Sequence, residues 1–120
     1  MNDRDKEKIE KIIDDRKKAH RKLLSRNSEV YKAFLELERK AFSSGTLEKK
    51  HKELIALGIS IAINCESCME WHTREALESG ASEKEILEPI EVGIEMGGGP
   101  ATVSSRFALK ALEYHTQEKP

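Results

Sequence analysis

The sequence predicts an all-α protein, a compact bundle of about six helices. Three observations predict it. Apolar residues recur at helical spacing from end to end, start and stop signals divide the chain into six segments, and no stretch alternates convincingly between apolar and polar residues. At 120 residues the chain has room for a single domain with a modest core. Its content is 38% hydrophobic and 36% charged, so exposed helices or burial shared between subunits are expected.

From Arg4 to Arg26, Ile9, Ile12, Ile13, Leu23 and Leu24 fall at helical spacing in an otherwise charged segment, a thin amphipathic arm. Ser28 caps a second helix to about Phe42 that should turn Val30, Tyr31, Phe34, Leu35, Leu37, Ala41 and Phe42 inward, and Ser43, Ser44 and Gly45 break it. Thr46 is the next expected cap. The run Leu47 to Ile63 after it, with Leu54, Ile55, Leu57, Ile59, Ile61 and Ile63, should be the buried central helix. Asn64 marks its end. A fourth helix runs from Cys65 or Glu66 to Ser79, and Gly80 suits the left-handed residue beyond it. Ser82 and Glu85 form a capping box for a fifth helix, in which Pro89 lies past the first turn. Gly97, Gly98, Gly99 and Pro100 end that helix, and Ala101 to His115 closes the fold with Val103, Phe107, Ala108, Ala111 and Leu112.

The net charge of -1 exerts no general pull toward nucleic acid or an anionic membrane. Charge is unevenly placed, however. Residues 1–27 hold ten Lys/Arg against six Asp/Glu, which sets a basic N-terminal helix apart from the helical domain expected over residues 28–120, within one domain overall. The cluster Arg16, Lys17, Lys18, Arg21 and Lys22 lacks interleaved aromatics, so a solvated helix face is expected rather than a nucleic-acid surface. No apolar run approaches the length of a membrane span and no signal-peptide pattern is present, so no membrane partner and a cytoplasmic location are expected.

In a reducing cytosol, two cysteines separated by two residues read as a redox pair or as metal ligands rather than a structural staple. Cys65, Cys68 and His72 stand at i, i+3 and i+7, within roughly 60° of one another around a helix. Cysteines in a first helical turn feel unsatisfied N–H groups and the positive end of the dipole, which favour the reactive thiolate. His72 lies one turn beyond Cys68 but about 10.5 Å along the axis from Cys65, so Cys68 is the better placed for activation by histidine. Two other readings remain open on these residues. The cysteines could pack as small hydrophobes, or Cys65, Cys68 and His72 could hold zinc with Glu53 or His51, although no second Cys/His pair is present.

The order Glu53, eleven residues, Cys65-x-x-Cys68, three residues, His72 resembles the alkylhydroperoxidase D-like branch of the carboxymuconolactone decarboxylase family. The resemblance runs from about Lys52 to Tyr114, including Gly80-Ala81-Ser82 and Met96-Gly97-Gly98-Gly99-Pro100-Ala101. It implies an all-helical, oligomeric fold, commonly a trimer or hexamer. It also implies a thiol-dependent peroxidase or disulfide reductase needing a thiol or dithiol reductant and no organic cofactor. By resemblance, Glu53 orients or polarises His72, His72 helps deprotonate Cys68, and Cys65 resolves the oxidised sulfur. A buried carboxylate at Glu53 would need a partner, and His72 can supply it. Family members that decarboxylate lactones lack the cysteine pair, which argues against that reaction. One position departs from the best-known members: Ser67 stands where they carry a histidine, and a serine cannot act as a base at neutral pH.

The remaining candidates read as structural. Trp71 is expected to pack, and His20, His51 and His115 are expected on the surface or in packing. Gly97 to Gly99 lacks the lysine and hydroxyl of a phosphate loop and reads as a helix junction. The reading from another class is a non-catalytic oligomeric binding module that uses its basic arm for a partner.

Overall fold

The computed structural model describes residues 1–117. Among the described residues six helices and no strand occur: α1 (Asp3–Ser25), α2 (Glu29–Phe42), α3 (Lys49–Ile63), α4 (Glu66–Glu78), α5 (Glu83–Gly97) and α6 (Gly99–Gln117). This is the all-α bundle expected from the sequence.

Local chemistry explains most of the boundaries. The Asn2 and Ser28 side chains accept from the Asp5 and Tyr31 amides at the starts of α1 and α2. Ser82 and Glu85 bond reciprocally as a full capping box, and Gly80 takes the left-handed conformation at φ +100°. Two boundaries differ from expectation. Glu48, not Thr46, precedes α3 and makes no side-chain cap; Ser44 Oγ reaches the Lys49 amide instead at 3.0 Å. The glycine run is the helix junction expected, but shorter: Gly98 alone, at φ +71°, separates α5 from α6, so Gly97 ends one helix and Gly99 and Pro100 begin the next.

α3 packs against α4, α5 and α6, while α1 lies across α4 and α6. Leu57, Ile61, Met69, Ile86, Ile90, Phe107 and Leu112 form the core, joined by Ile9 from α1. Small residues set the spacing. A Cβ on Gly93 would stand 2.7 Å from Ile61 Cβ and 2.8 Å from the Gly58 carbonyl, so α3 and α5 cross at a distance that admits hydrogen alone.

α3 is central but only one of its faces is buried. Glu53, Leu57 and Ile61, spaced by four, form the buried stripe; Ile55, Ile59 and Ile63, displaced by two residues and thus about 200° around the axis, face outward. The expectation for α2 also fails, since it contains no buried residue and Val30 is 83% exposed. Val103 of α6 is likewise exposed. The physical reason is common to all three. Helical periodicity marks an apolar stripe but not what covers it, and one chain lacks the surface to cover every stripe.

Candidate active site

The site is assembled at the junction of α3 and α4. Asn64 ends α3 in the left-handed conformation at φ +57°, which lets the Cys65 amide turn back to the Ser60 carbonyl at 3.0 Å. Cys65 thereby becomes the N-cap of α4, and the Cys68 amide donates to its Sγ at 3.2 Å. The two cysteines form a disulfide, with an S–S distance of 2.06 Å and Cα atoms 5.2 Å apart.

One turn further on, His72 Nδ1 lies 2.7 Å from Glu53 Oε1. An ionised carboxylate can only accept, so Nδ1 carries the hydrogen and Nε2 is left as the ring atom able to take a proton. Glu53 is 2% exposed, and its other oxygen accepts from Lys49 Nζ at 2.8 Å. Burial by itself would raise the Glu53 pKa, but the bonds from His72 and Lys49 outweigh it and hold the carboxyl below its ordinary value. Burial conversely disfavours the Lys49 ammonium, yet its bonds to Glu53 and Glu75 raise its pKa. The Phe42 ring stacks on His72 with centroids 5.2 Å apart, which fixes the imidazole plane.

Cys68, His72 and Trp71 line one cavity of about 710 Å³ together with Phe34 and Phe42 of α2 and Arg16, Lys17 and Arg21 of α1. A larger cavity of about 1060 Å³ lies against Met1, Glu10, Tyr114 and His115, and neither cysteine nor His72 lines it. Among the described residues no three His, Cys, Asp or Glu side chains are arranged to hold a metal ion, so the zinc reading of Cys65, Cys68 and His72 gains no ligand set.

α4 holds a second buried carboxylate, Glu70. Glu70 is fully buried, accepts from Arg16 Nη2 at 2.6 Å, and lies 2.7 Å from His115 Nε2. Here too burial would raise the carboxyl pKa, and the His115 and Arg16 bonds overcome it. Arg16 also donates to the Ser67 carbonyl at 3.0 Å and hydroxyl at 3.1 Å, and its guanidinium lies 5.2 Å from the centre of the Trp71 ring. Two expectations are corrected by this. Arg16 is not simply part of a solvated face, and His115 is a partner of a buried acid. His115 lies 45 residues from Glu70 and Arg16 lies 54 from it, separations at which no local pattern operates. His51 is exposed, His20 meets the Tyr31 hydroxyl, and Trp71 is held between Arg16 and Arg74. The sequence also left out Lys49 and Phe42. The first had a usable signal, its i, i+4 spacing to Glu53; Phe42 had none.

Among the described residues no helix is long and apolar enough to cross a membrane. Residues 28–111 match the model of the carboxymuconolactone decarboxylase family. The chain is 37% identical over 81 residues to an uncharacterised protein of the cox locus of Paracoccus denitrificans, covering 68% of this chain and 73% of that one. It is 37% identical over 82 residues to an uncharacterised protein of Cupriavidus necator, covering 68% and 70%. Among solved structures, a carboxymuconolactone decarboxylase family protein from Legionella pneumophila superposes with a TM-score of 0.87 at 31% identity, covering 92% of this chain and 98% of that one. A family member from Thermotoga maritima, for which a part in the antioxidative response has been suggested, gives 0.78 at 30% identity over 86% and 87% of the two chains. The matched segment spans most of the chain and contains both cysteines, Glu53 and His72, so this protein belongs to the carboxymuconolactone decarboxylase family.

Proposed function

We propose that the protein is a thiol-dependent peroxidase in which Cys68 attacks, Cys65 resolves, and His72 and Glu53 move and hold the proton. The observation that carries this reading is the bond between His72 Nδ1 and Glu53, with His72 and Cys68 sharing the wall of one cavity. The protonation state follows from it: Nε2 can accept the Cys68 proton, and the resulting imidazolium is stabilised by Glu53.

In the reduced protein the Cys68 thiolate attacks one peroxide oxygen, the O–O bond breaks, and the departing alkoxide takes a proton from His72 to leave as an alcohol. Cys68 then carries a sulfenic acid. The Cys65 thiol attacks that sulfur, the S–S bond forms, and hydroxide leaves as water with the Cys65 proton. An external dithiol restores both thiols by exchange through a mixed disulfide. Disulfide reduction uses the same final exchange in reverse order. The suggested antioxidative part of the Thermotoga maritima relative is in keeping with this chemistry.

Homo-oligomerisation belongs to the same proposal, because Ile55, Ile59, Ile63, Val92 and Met96 leave apolar surface on α3 and α5 that a second copy would cover.

The deciding experiment is mass spectrometry of the Cys65/Cys68 peptide after the reduced protein meets one equivalent of peroxide. Loss of two hydrogens with matching peroxide consumption supports the reading. Free thiols beside unconsumed peroxide would end it.

A further inference from the structure

We propose that the cavity beside Cys68 takes an amphipathic organic hydroperoxide bearing a carboxylate, whose charge is read by Lys17 and Arg21 of α1; this rests on the peroxidase reading above.

The cavity has two chemically distinct regions. Phe34, Leu37, Phe42 and Trp71 make an apolar wall, and its volume of about 710 Å³ lies within the range of small-molecule sites, which run to roughly 300–1,000 Å³. Hydrogen peroxide needs neither the volume nor the apolar wall. α1 contributes Arg16, Lys17 and Arg21 to the lining, against the single acid Glu38.

These cations differ in availability. Arg16 is neutralised by buried Glu70 and tied to Ser67, so it is part of the wall. Elsewhere on α1, Lys11 and Lys18 are paired with Asp15 and Asp14. Lys17 and Arg21 form no ion pair among the described residues, Arg21 feeling Asp14 only at a distance while Asp14 bonds Lys18, and both are exposed and line the cavity. Arg21 stands about 7.5 Å along the helix axis from Arg16, the residue that bonds the Cys68-flanking Ser67. A ligand that joins a peroxide to a carboxylate through one apolar stretch therefore finds in this lining a counterpart for each of its parts: the Cys68 sulfur, the aromatic wall, and two cations that no ion pair occupies. Reaction leaves the carboxylate untouched, converts R–OOH to R–OH, and passes one oxygen to Cys68 as the sulfenic acid.

Trp71 is the only tryptophan in the chain and lines the cavity, so its fluorescence reports occupancy. The test uses the oxidised protein, which cannot turn over, titrated with sodium laurate or methyl laurate below the concentration at which either aggregates. Laurate should saturate at one per chain, and methyl laurate should bind on the order of tenfold more weakly, the scale of one lost charged contact. The double variant Lys17→Glu/Arg21→Glu, with folding checked by circular dichroism, should lose the preference for laurate and keep the ester affinity. In the reduced protein the same variant should lower kcat/KM for linoleic acid hydroperoxide by a similar factor and leave hydrogen peroxide unaffected.

Equal affinity for acid and ester, or a charge reversal without effect, would overturn the inference. So would the absence of laurate binding together with dissociation of an oligomer by Phe34→Glu, which would mean that a second copy fills the cavity. Laurate binding of the expected selectivity in a protein that consumes no peroxide would sink the peroxidase reading and not the carboxylate site. Hydrogen peroxide turnover without acid-over-ester selectivity would do the reverse.

Discussion

His72 Nδ1 and Glu53 Oε1 meet at 2.7 Å across the α3–α4 interface, although 19 residues separate them and Glu53 is almost wholly buried. The carboxylate is kept ionised there by His72 and Lys49 against the cost of burial. Replacing Glu53 by Gln keeps the size of the side chain and removes the charge that stabilises the imidazolium. Thiol alkylation in the variant should require higher pH, and its rate at neutral pH should fall on the order of tenfold, as expected for losing a charged contact of about 1.4 kcal/mol. Raising the pH should restore part of the rate. Superimposable rate profiles for wild type and Glu53→Gln would show that the pair has no part in activating the thiol.

The two cysteines should differ in their single variants. Cys68→Ser should abolish peroxide consumption, whereas Cys65→Ser should stop after one equivalent with a sulfenic acid on Cys68. Cys65 has a competing claim, because as N-cap it receives the Cys68 amide. A sulfenic-acid trap followed by peptide mapping decides between them, and label on Cys65 in the Cys68→Ser protein would reverse the assignment.

Arg16 and Glu70 form an ion pair in which the acid is fully buried, so removing the cation leaves a buried charge supported by His115 alone. Arg16→Leu should cost about 2–3 kcal/mol in urea denaturation at neutral pH, less than the roughly 3–5 kcal/mol for breaking a fully buried pair because Arg16 is partly exposed and His115 still bonds Glu70. The sign of its pH dependence follows from the Glu70 pKa, which lies below its ordinary value in the folded protein. Stability from such a group is complete above the unfolded pKa and is lost as pH falls through the folded one. The difference between wild type and variant should therefore shrink as the pH falls below the ordinary glutamate range and through the lowered pKa of folded Glu70, where the carboxylate is neutralised. A difference independent of pH would mean that Arg16 acts through its packing on Trp71.

Ile55, Ile59 and Ile63 give the association prediction its sharpest form. Static light scattering at micromolar concentration should give a mass of several chains, with multiples of three expected from the family resemblance. Ile59→Glu, at a position 55% exposed in the single chain, should shift the protein toward monomer without loss of helicity. A wild-type protein that is already monomeric would remove the proposal.

What the sequence determined by itself is local. The capping box of Ser82 and Glu85, the left-handed Gly80, the Ser28 cap and the one-turn spacing of Cys68 and His72 depend on residues a few positions apart, whose relation is set by local geometry before any packing; Cys65, as the extended N-cap, stands just outside the helix. Glu53 entered only through its spacing in the family pattern, since a glutamate in a charged helical turn carries no mark of burial. Tertiary structure decided which stripe of α3 faces inward and thereby put Glu53 on His72. It decided that α2 leaves its apolar side over a cavity rather than in a core. It also brought Arg16 from the N-terminal helix onto Ser67 and Glu70, and His115 from the last helix onto Glu70. These contacts span 45 to 54 residues, and they depend on how helices cross, which the summed packing of whole faces sets and no short pattern encodes.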